Sequence, residues 1–116
     1  MDVSIKRVYE PAEPGDGFRI LVDRLWPRGM KKVDLSFDLW AKELAPSTKA
    51  RKEFGHRPEN FEAFRARYTA ELDARPEAVE QAHRLAALQE PVTLLYAAKD
   101  PRINHAVILA AWLERF

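Results

Sequence analysis

Two short segments of the sequence concentrate side chains that could bind or exchange charge, and each follows an apolar run. The first contains a carboxylate, two guanidiniums and an indole, from Asp23, Arg24, Arg28 and Trp26. The second contains an ammonium, a carboxylate, an amide and an imidazole, from Lys99, Asp100, Asn104 and His105. Guanidiniums suit carboxylates and phosphates, and an imidazole can exchange protons near neutral pH. The two segments together predict a site for an anion.

The chemistry of each side chain suggests its role in such a site. Guanidiniums would hold the anion, a carboxylate would accept a proton or orient a group, and an imidazole would act as acid or base. The candidate catalytic residues are Asp23, Asp100 and His105. The candidate ligand-binding residues are Arg24, Trp26, Arg28, Glu43, Ser47, Lys99 and Asn104. The second segment also opens a predicted helix, whose free N–H groups and dipole favour an anion.

Structural interpretations stay open for the same residues. Either arginine could form an internal ion pair with Asp23 or Glu43. Ser47 and Asn104 are both typical N-cap residues of a helix. His105 could be held by a backbone carbonyl, and the indole of the first segment could belong to the core as well as to an ionic site.

The chain from 24 to 32 forms a basic patch in a nearly neutral protein. It contains Arg24, Arg28, Lys31 and Lys32, with no acidic residue among them. The whole chain has 19 Lys and Arg against 18 Asp and Glu, a net charge of +1, which argues against binding nucleic acid by bulk charge. We therefore expect an anionic small molecule, such as a nucleotide or sugar phosphate, as the partner. A second hypothesis is a non-catalytic module that binds a protein or a nucleic acid through this loop.

Several other kinds of site are not indicated. The chain has no cysteine, which excludes disulfides, thiolate metal sites and cysteine nucleophiles. Its histidines, His56, His83 and His105, do not have the spacing of metal ligands, so we expect no metal. The glycines form neither a dinucleotide fingerprint nor a Walker loop, and no cofactor is expected.

Length and composition are those of one globular domain over residues 1–116, with 47% hydrophobic and 32% charged residues. The longest apolar run, from Ala106 to Leu113, is too short to span a membrane. Met1 to Glu10 lack the apolar core of a signal peptide. The sequence predicts a cytoplasmic protein with no membrane partner. Trp112 and Phe116 near the end could form a homodimer or pack into the chain's own core.

Hydrophobic periodicity places strands and helices along the chain. Strands are predicted over 3–9, 18–22 and 92–97, and helices over 49–54, 59–73, 76–89 and 104–116. The segment 35–44 fits both types, and we favour an extended chain there. Pro and Gly make 10–17 an exposed loop. The pattern predicts an α/β fold, a mostly parallel or mixed sheet of about three to four strands covered by about four to five helices.

In such a sheet, ligands bind beyond the carboxyl ends of the strands, which is where both segments with charged side chains fall. If the strands at 18–22 and 92–97 are parallel, the two segments meet at one edge.

Four ordered motifs resemble the small bacterial YeaO-like proteins of the DUF488 family (domain of unknown function 488). They are RILVDRLWPRG at 19–29, WAKELAPS at 40–47, FGH at 54–56, and LLYAAKD followed by NHA between 94 and 106. The resemblance covers nearly the whole chain and implies a cytoplasmic α/β domain. It marks as signature positions Asp23, Arg24, Trp26, Pro27, Arg28, Gly29, Lys42, Glu43, Pro46, Ser47, Lys99, Asp100, Asn104 and His105. So many charged and polar signature positions favour a binding site over a purely structural role, because burying such groups unpaired costs free energy.

Overall fold

One parallel sheet and four α-helices make up the structure, a computed structural model that describes residues 1–116. The strands are β1 (Val3–Arg7), β2 (Phe18–Leu21), β3 (Leu39–Trp40) and β4 (Val92–Tyr96). The helices are α1 (Thr48–Phe54), α2 (Phe61–Ala74), α3 (Pro76–Ala87) and α4 (His105–Leu113). The strands lie in the order β1-β4-β2-β3, and every neighbouring pair is parallel. The predicted α/β class is confirmed.

Some predicted boundaries differ from the observed ones. The ambiguous segment 35–44 is a strand only at β3, and residues 42–44 form a 3-10 turn. The loop 10–17 contains a 3-10 turn at Pro14–Asp16, and its last turn residue, Asp16, is buried where the sequence predicted exposure. Leu88, which falls within the predicted helix 76–89, lies beyond the observed end of α3 and is 41% exposed. Local composition marks a loop, but long-range contacts decide which of its residues are buried.

All four helices pack on one face of the sheet. Their inner residues join the alternate strand residues Ile20, Val22, Val92, Leu94 and Tyr96 in the main hydrophobic core. Trp112 is buried in this core, and Phe116 packs against its ring. Helices bury one face of β2 and β4, and loop residues bury the other. This fits the apolar sequences of both strands, because parallel strands are normally covered on both sides. None of the helices has the length and apolar composition that crossing a bilayer would require.

Loops rather than helices cover the opposite face. A smaller cluster there contains Val8, Leu21, Leu35 and Leu95, with Trp26 and Trp40 packed against it. The two indoles meet edge to face, with ring centroids 5.5 Å apart. Each indole N–H is bonded to a backbone carbonyl, that of Trp26 to Met30 and that of Trp40 to Asp23. The loop after β2 is therefore ordered by aromatic packing and hydrogen bonds.

A buried cluster of ion pairs, formed by Lys6, Asp16 and Arg19, lies at the amino end of the loop face. Lys6 Nζ lies 2.9 Å from Asp16 Oδ1, and the Arg19 guanidinium donates to Asp16 Oδ2. The backbone N–H of Glu13 also donates to Asp16, and the Thr93 hydroxyl donates to the Asp16 carbonyl oxygen. The donors to the carboxylate, Lys6 first and then the Glu13 N–H and Arg19, lower the pKa of Asp16 to about 2. The cluster ties the loop 10–17 to β1, β2 and β4.

The next residue, Gly17, has a positive φ of 67° and lies against the neighbouring chain segment. A Cβ atom here would lie 2.1 Å from the carbonyl oxygen of Pro91. That same oxygen accepts the N–H of Phe18 at the start of β2. Glycine is therefore required both by the backbone conformation and by the close approach of the two segments.

Asp16→Asn should destabilise the fold in a pH-dependent way. The folded-state pKa of Asp16 is below its ordinary value of 3.8, so the folded state favours the ionised carboxylate. Its stabilisation is present above about pH 4 and is lost as the pH falls towards 2. We expect urea denaturation at pH 7 to show a loss of about 2 kcal/mol in Asp16→Asn, shrinking below about pH 4.

Glu13→Gln is the matched control, because the Glu13 side chain is 68% exposed and also pairs with Lys6. Its loss should stay below about 1 kcal/mol. Equal losses in both variants, or a loss in Asp16→Asn that does not change with pH, would contradict the role given to the buried carboxylate.

Candidate functional site

A cavity of about 340 Å³ lies beyond the carboxyl ends of β2 and β4. Parallel pairing places Leu21 opposite Leu95, so the chain leaves both strands at the same level of the sheet. The walls come from the loop after β2, the start of the loop after β4, and α1 with the turn behind it. The lining residues are Tyr9, Asp23, Arg24, Leu25, Trp26, Pro27, Arg28, Pro46, Arg51, His56, Ala97, Ala98 and His105. This volume falls within the range of small-molecule sites.

Asp23 and His105 meet at the base of this cavity. The Asp23 Oδ2 atom accepts the backbone N–H of Ala97 at 3.1 Å, which links the ends of β2 and β4. His105 Nε2 lies 3.1 Å from Asp23 Oδ1 and 3.1 Å from the carbonyl oxygen of Val22. The hydrogen bond is directed towards Val22, and the buried Oδ1 atom has no well-aligned donor. Carboxylate and imidazole thus form a contact pair joining β2, β4 and α4.

Three guanidiniums surround the mouth of the cavity without any ion pair. Arg24, Arg28 and Arg51 are exposed, and none of them lies within 4.0 Å of a carboxylate oxygen or forms a side-chain hydrogen bond. The ion pair that the sequence left open between an arginine and Asp23 or Glu43 is therefore not formed. The cavity presents three unpaired positive charges and one carboxylate.

Two side chains, one on β1 and one just after it, hold the walls of the cavity. The Arg7 guanidinium donates to the carbonyl oxygens of Ala97 and Ala98, at 3.3 and 2.9 Å. The Tyr9 hydroxyl donates to the carbonyl oxygen of Arg28 at 2.8 Å. The loops on either side of the cavity are thus anchored to the same edge of the sheet.

Asn104 and Asp100 shape the loop before α4. The Asn104 side chain accepts the N–H of Val107 as the N-cap of α4 and donates to the Asp100 carbonyl oxygen. It also lines a cavity of about 40 Å³ next to the main one. The Asp100 carboxylate is exposed and accepts the N–H groups of Arg102 and Ile103. Asp100 and the exposed Lys99 lie outside the lining of both cavities.

Glu43 and Ser47 lie in the chain that leads into α1, away from the main cavity. Ser47 is the N-cap of α1, and its hydroxyl donates to Glu71 on α2. The carbonyl oxygen of Glu43 accepts from Arg75, which fixes the 3-10 turn before α1. Trp26 packs against the hydrophobic cluster of the loop face and also lines the cavity, so both alternatives that the sequence left open for this indole apply.

Sequence reasoning missed two basic residues of the cavity, Arg51 and His56. Arg51 lies on α1, and His56 follows the Gly55 cap of that helix. Both Gly55 and His56 have positive φ, 57° and 58°, which turns the chain sharply after α1. A non-glycine residue in this conformation is uncommon. The FGH motif at 54–56 could have indicated His56, because it is one of the four motifs of the family resemblance and the sequence assigns its histidine no structural role.

A larger groove of about 960 Å³ runs along α1 and α2, and five of its eleven lining residues are alanines between Ala50 and Ala74. It contains none of the candidate residues predicted from the sequence. No group of three or more His, Cys, Asp or Glu side chains is close enough together to ligate a metal ion. The smaller cavity is the one in which polar, titratable and cationic groups converge.

Residues 2–116 match the family model described as "Inactive DUF488-N3 subclade". The chain belongs to the DUF488 family. The predicted resemblance to the YeaO-like proteins of this family is confirmed.

The relatives of this DUF488 protein are similar over nearly their whole length. The uncharacterized protein YeaO of Escherichia coli (strain K12) is 53% identical over 116 residues, covering 98% of each chain. The uncharacterized proteins Rv3073c of Mycobacterium tuberculosis (strain ATCC 25618 / H37Rv) and Mb3100c of Mycobacterium bovis (strain ATCC BAA-935 / AF2122/97) are each 39% identical over 120 residues. Those alignments cover 97% of this chain and 93% of each relative. No solved structure matches the chain significantly.

Asp23→Ala should destabilise this DUF488 protein through the lost link between β2 and β4. The N–H of Ala97 would lose its acceptor in a partly buried position, at a cost of about 1–3 kcal/mol in urea denaturation. Asp100→Ala is the control, since the N–H groups that Asp100 accepts are exposed and water can replace it. Its loss should stay below about 1 kcal/mol. A larger loss in Asp100→Ala than in Asp23→Ala would refute this account of the pair.

Proposed function

We propose that this DUF488 protein binds an anionic small molecule, a nucleotide or sugar phosphate, in the cavity beyond β2 and β4. The observation that carries the proposal is the set of three unpaired guanidiniums at its mouth, from Arg24, Arg28 and Arg51. Arginine forks bind phosphate oxygens in pairs, and an unpaired guanidinium keeps all its donors available. The anion would lie against the imidazole of His105 at the base.

The description of the matched subclade as inactive favours binding without turnover. The contact pair of Asp23 and His105 would then orient the ligand and complement its charge. A cavity of about 340 Å³ is large enough for a phosphate with an attached sugar or base. Tyr9, 45% exposed at the rim, and Leu25, 66% exposed, offer apolar surface for that attached group.

Arg28→Gln and Arg51→Gln should each weaken phosphate binding while the protein stays folded. Both side chains are exposed and free of internal hydrogen bonds, so their loss costs the ligand a charged contact and the fold little. A thermal-shift screen with nucleoside monophosphates, sugar phosphates and dicarboxylates should give a saturable rise in Tm with one phosphate class. Each substitution should raise the apparent Kd roughly tenfold or more.

Lys31→Gln with Lys32→Gln is the matched control, because these cations belong to the same basic loop but lie outside the cavity lining. We expect wild-type affinity for the phosphate in that double variant. No shift with any ligand would refute the cavity as a binding site. If RNA or DNA binding instead falls steeply with salt and is removed by the double lysine variant, the basic loop is a nucleic-acid surface.

A further inference from the structure

We propose that His105 contacts the anion through Nδ1 and takes up a proton when the anion binds. This inference rests on the proposed function of the cavity. It assigns the atom that touches the ligand and the change of charge that accompanies binding.

The surroundings of the imidazole settle which nitrogen carries hydrogen. The carbonyl oxygen of Val22 and the carboxylate of Asp23 both lie 3.1 Å from Nε2. A carbonyl and an ionised carboxylate only accept hydrogen bonds, so Nε2 carries a hydrogen in the neutral ring as well as in the charged ring. In the neutral ring, Nδ1 is then an unprotonated acceptor.

Nδ1 has no hydrogen-bond partner in the protein, and the ring of His105 lines both the main cavity and the small one beside it. The protein thus anchors one edge of the ring and leaves the other edge to the cavity. An acceptor at this position would repel an anion. Protonation of Nδ1 converts it into a charged donor, so an anion in the cavity selects the protonated ring.

The charge of the cavity fits this coupling. Three arginines and Asp23 leave a net charge of +2 around a neutral His105, which matches a phosphate monoester dianion. Protonation of His105 raises this net charge to +3 next to the anion. The buried Asp23 Oδ1 atom, which has no aligned donor, lies on the far side of the same ring. This carboxylate, already counted in the net charge, lies next to the ring and stabilises the positive charge that the ring acquires.

Other charged and titratable groups face His105 from three parts of the chain. They are Asp23, Arg24 and Arg28 after β2, Arg51 and His56 from α1 and its turn, and Tyr68 on α2. Burial raises the pKa of Tyr68 well above its ordinary value, and its hydroxyl donates to the Leu44 carbonyl oxygen. Of these groups, only His56 is of a type that ordinarily changes charge between about pH 5 and 8. The experiment must therefore separate the two histidines.

Isothermal titration calorimetry of the full chain with inorganic sulfate tests the proposal. Sulfate keeps both negative charges over the range used, so proton uptake measured in buffers of different ionisation enthalpy belongs to the protein. We expect uptake approaching about one proton per sulfate near pH 7.5, and an affinity that falls by up to about tenfold per pH unit there. Inorganic phosphate serves as a second probe for binding itself.

His105→Gln should bind sulfate more weakly than wild type at about pH 6 and without proton uptake, because the amide cannot titrate. His83→Gln is the control and should keep the full uptake, because the His83 ring lies on α3 against Phe116. His56→Gln should also keep it, and this variant tests the proposal even if His105→Gln does not fold.

The possible failures are distinguishable. If neither sulfate nor phosphate binds at any pH, the proposed function fails and the proton-linked contact fails with it. If the anions bind with no proton uptake, or if uptake is lost in His56→Gln and survives in His105→Gln, the role of His105 is overturned while the anion site stands.

Discussion

The parallel pairing of β2 with β4 is the constraint on which the candidate site depends. In this register Ile20 lies opposite Leu94 and Leu21 lies opposite Leu95. The N–H of Val22 then donates a hydrogen bond to the carbonyl oxygen of Leu95. Both chains therefore leave the sheet at one level and in one direction. A carboxylate that directly follows β2 then reaches the backbone that directly follows β4, and the helix after β4 starts within reach of both.

Two groups of buried charge in this protein differ in how completely they are paired. Asp16 accepts from Lys6, Arg19 and a backbone N–H, and every donor is supplied by the protein. Asp23 has one satisfied oxygen, one oxygen without an aligned donor, and a neighbouring imidazole whose Nδ1 has no hydrogen-bond partner in the protein. The first arrangement uses all its bonding capacity internally and holds the fold. The second leaves bonding capacity unused within the protein, as the proposed binding site requires.

Much of the fold could be predicted because its signals are local. Periodicity and caps predicted the helices to within a few residues, including the Ser47 cap of α1. The rule that ligands bind beyond the carboxyl ends of parallel strands selected Asp23 and His105, which the structure brings within 3.1 Å. The burial of Asp16 could not be predicted, because its partners are supplied by strands as well as by its own loop.

The contrast between local signals and long-range contacts also explains which cavity residues the sequence did not predict. Arg51 is an ordinary exposed helix residue in the sequence, and only the packing of α1 beside the sheet edge brings it to the cavity. His56 depends on two successive residues with positive φ, a backbone feature that one glycine in the sequence indicates only in part. Lys99 shares the strand-end position but points outside the cavity lining, because the loop before α4 folds on itself around Asp100.

The division of the sheet into a helical face and a loop face has a consequence for how such a protein can change. The hydrophobic cluster on the loop face is separate from the main core, which the four helices build on the other side. The segment between β2 and β3 forms one wall of the cavity and runs on that independent face. Its exposed side chains, such as Leu25 and Arg28, can vary without repacking the helices, so the lining of the cavity and the packing of the helical face can evolve separately in this architecture.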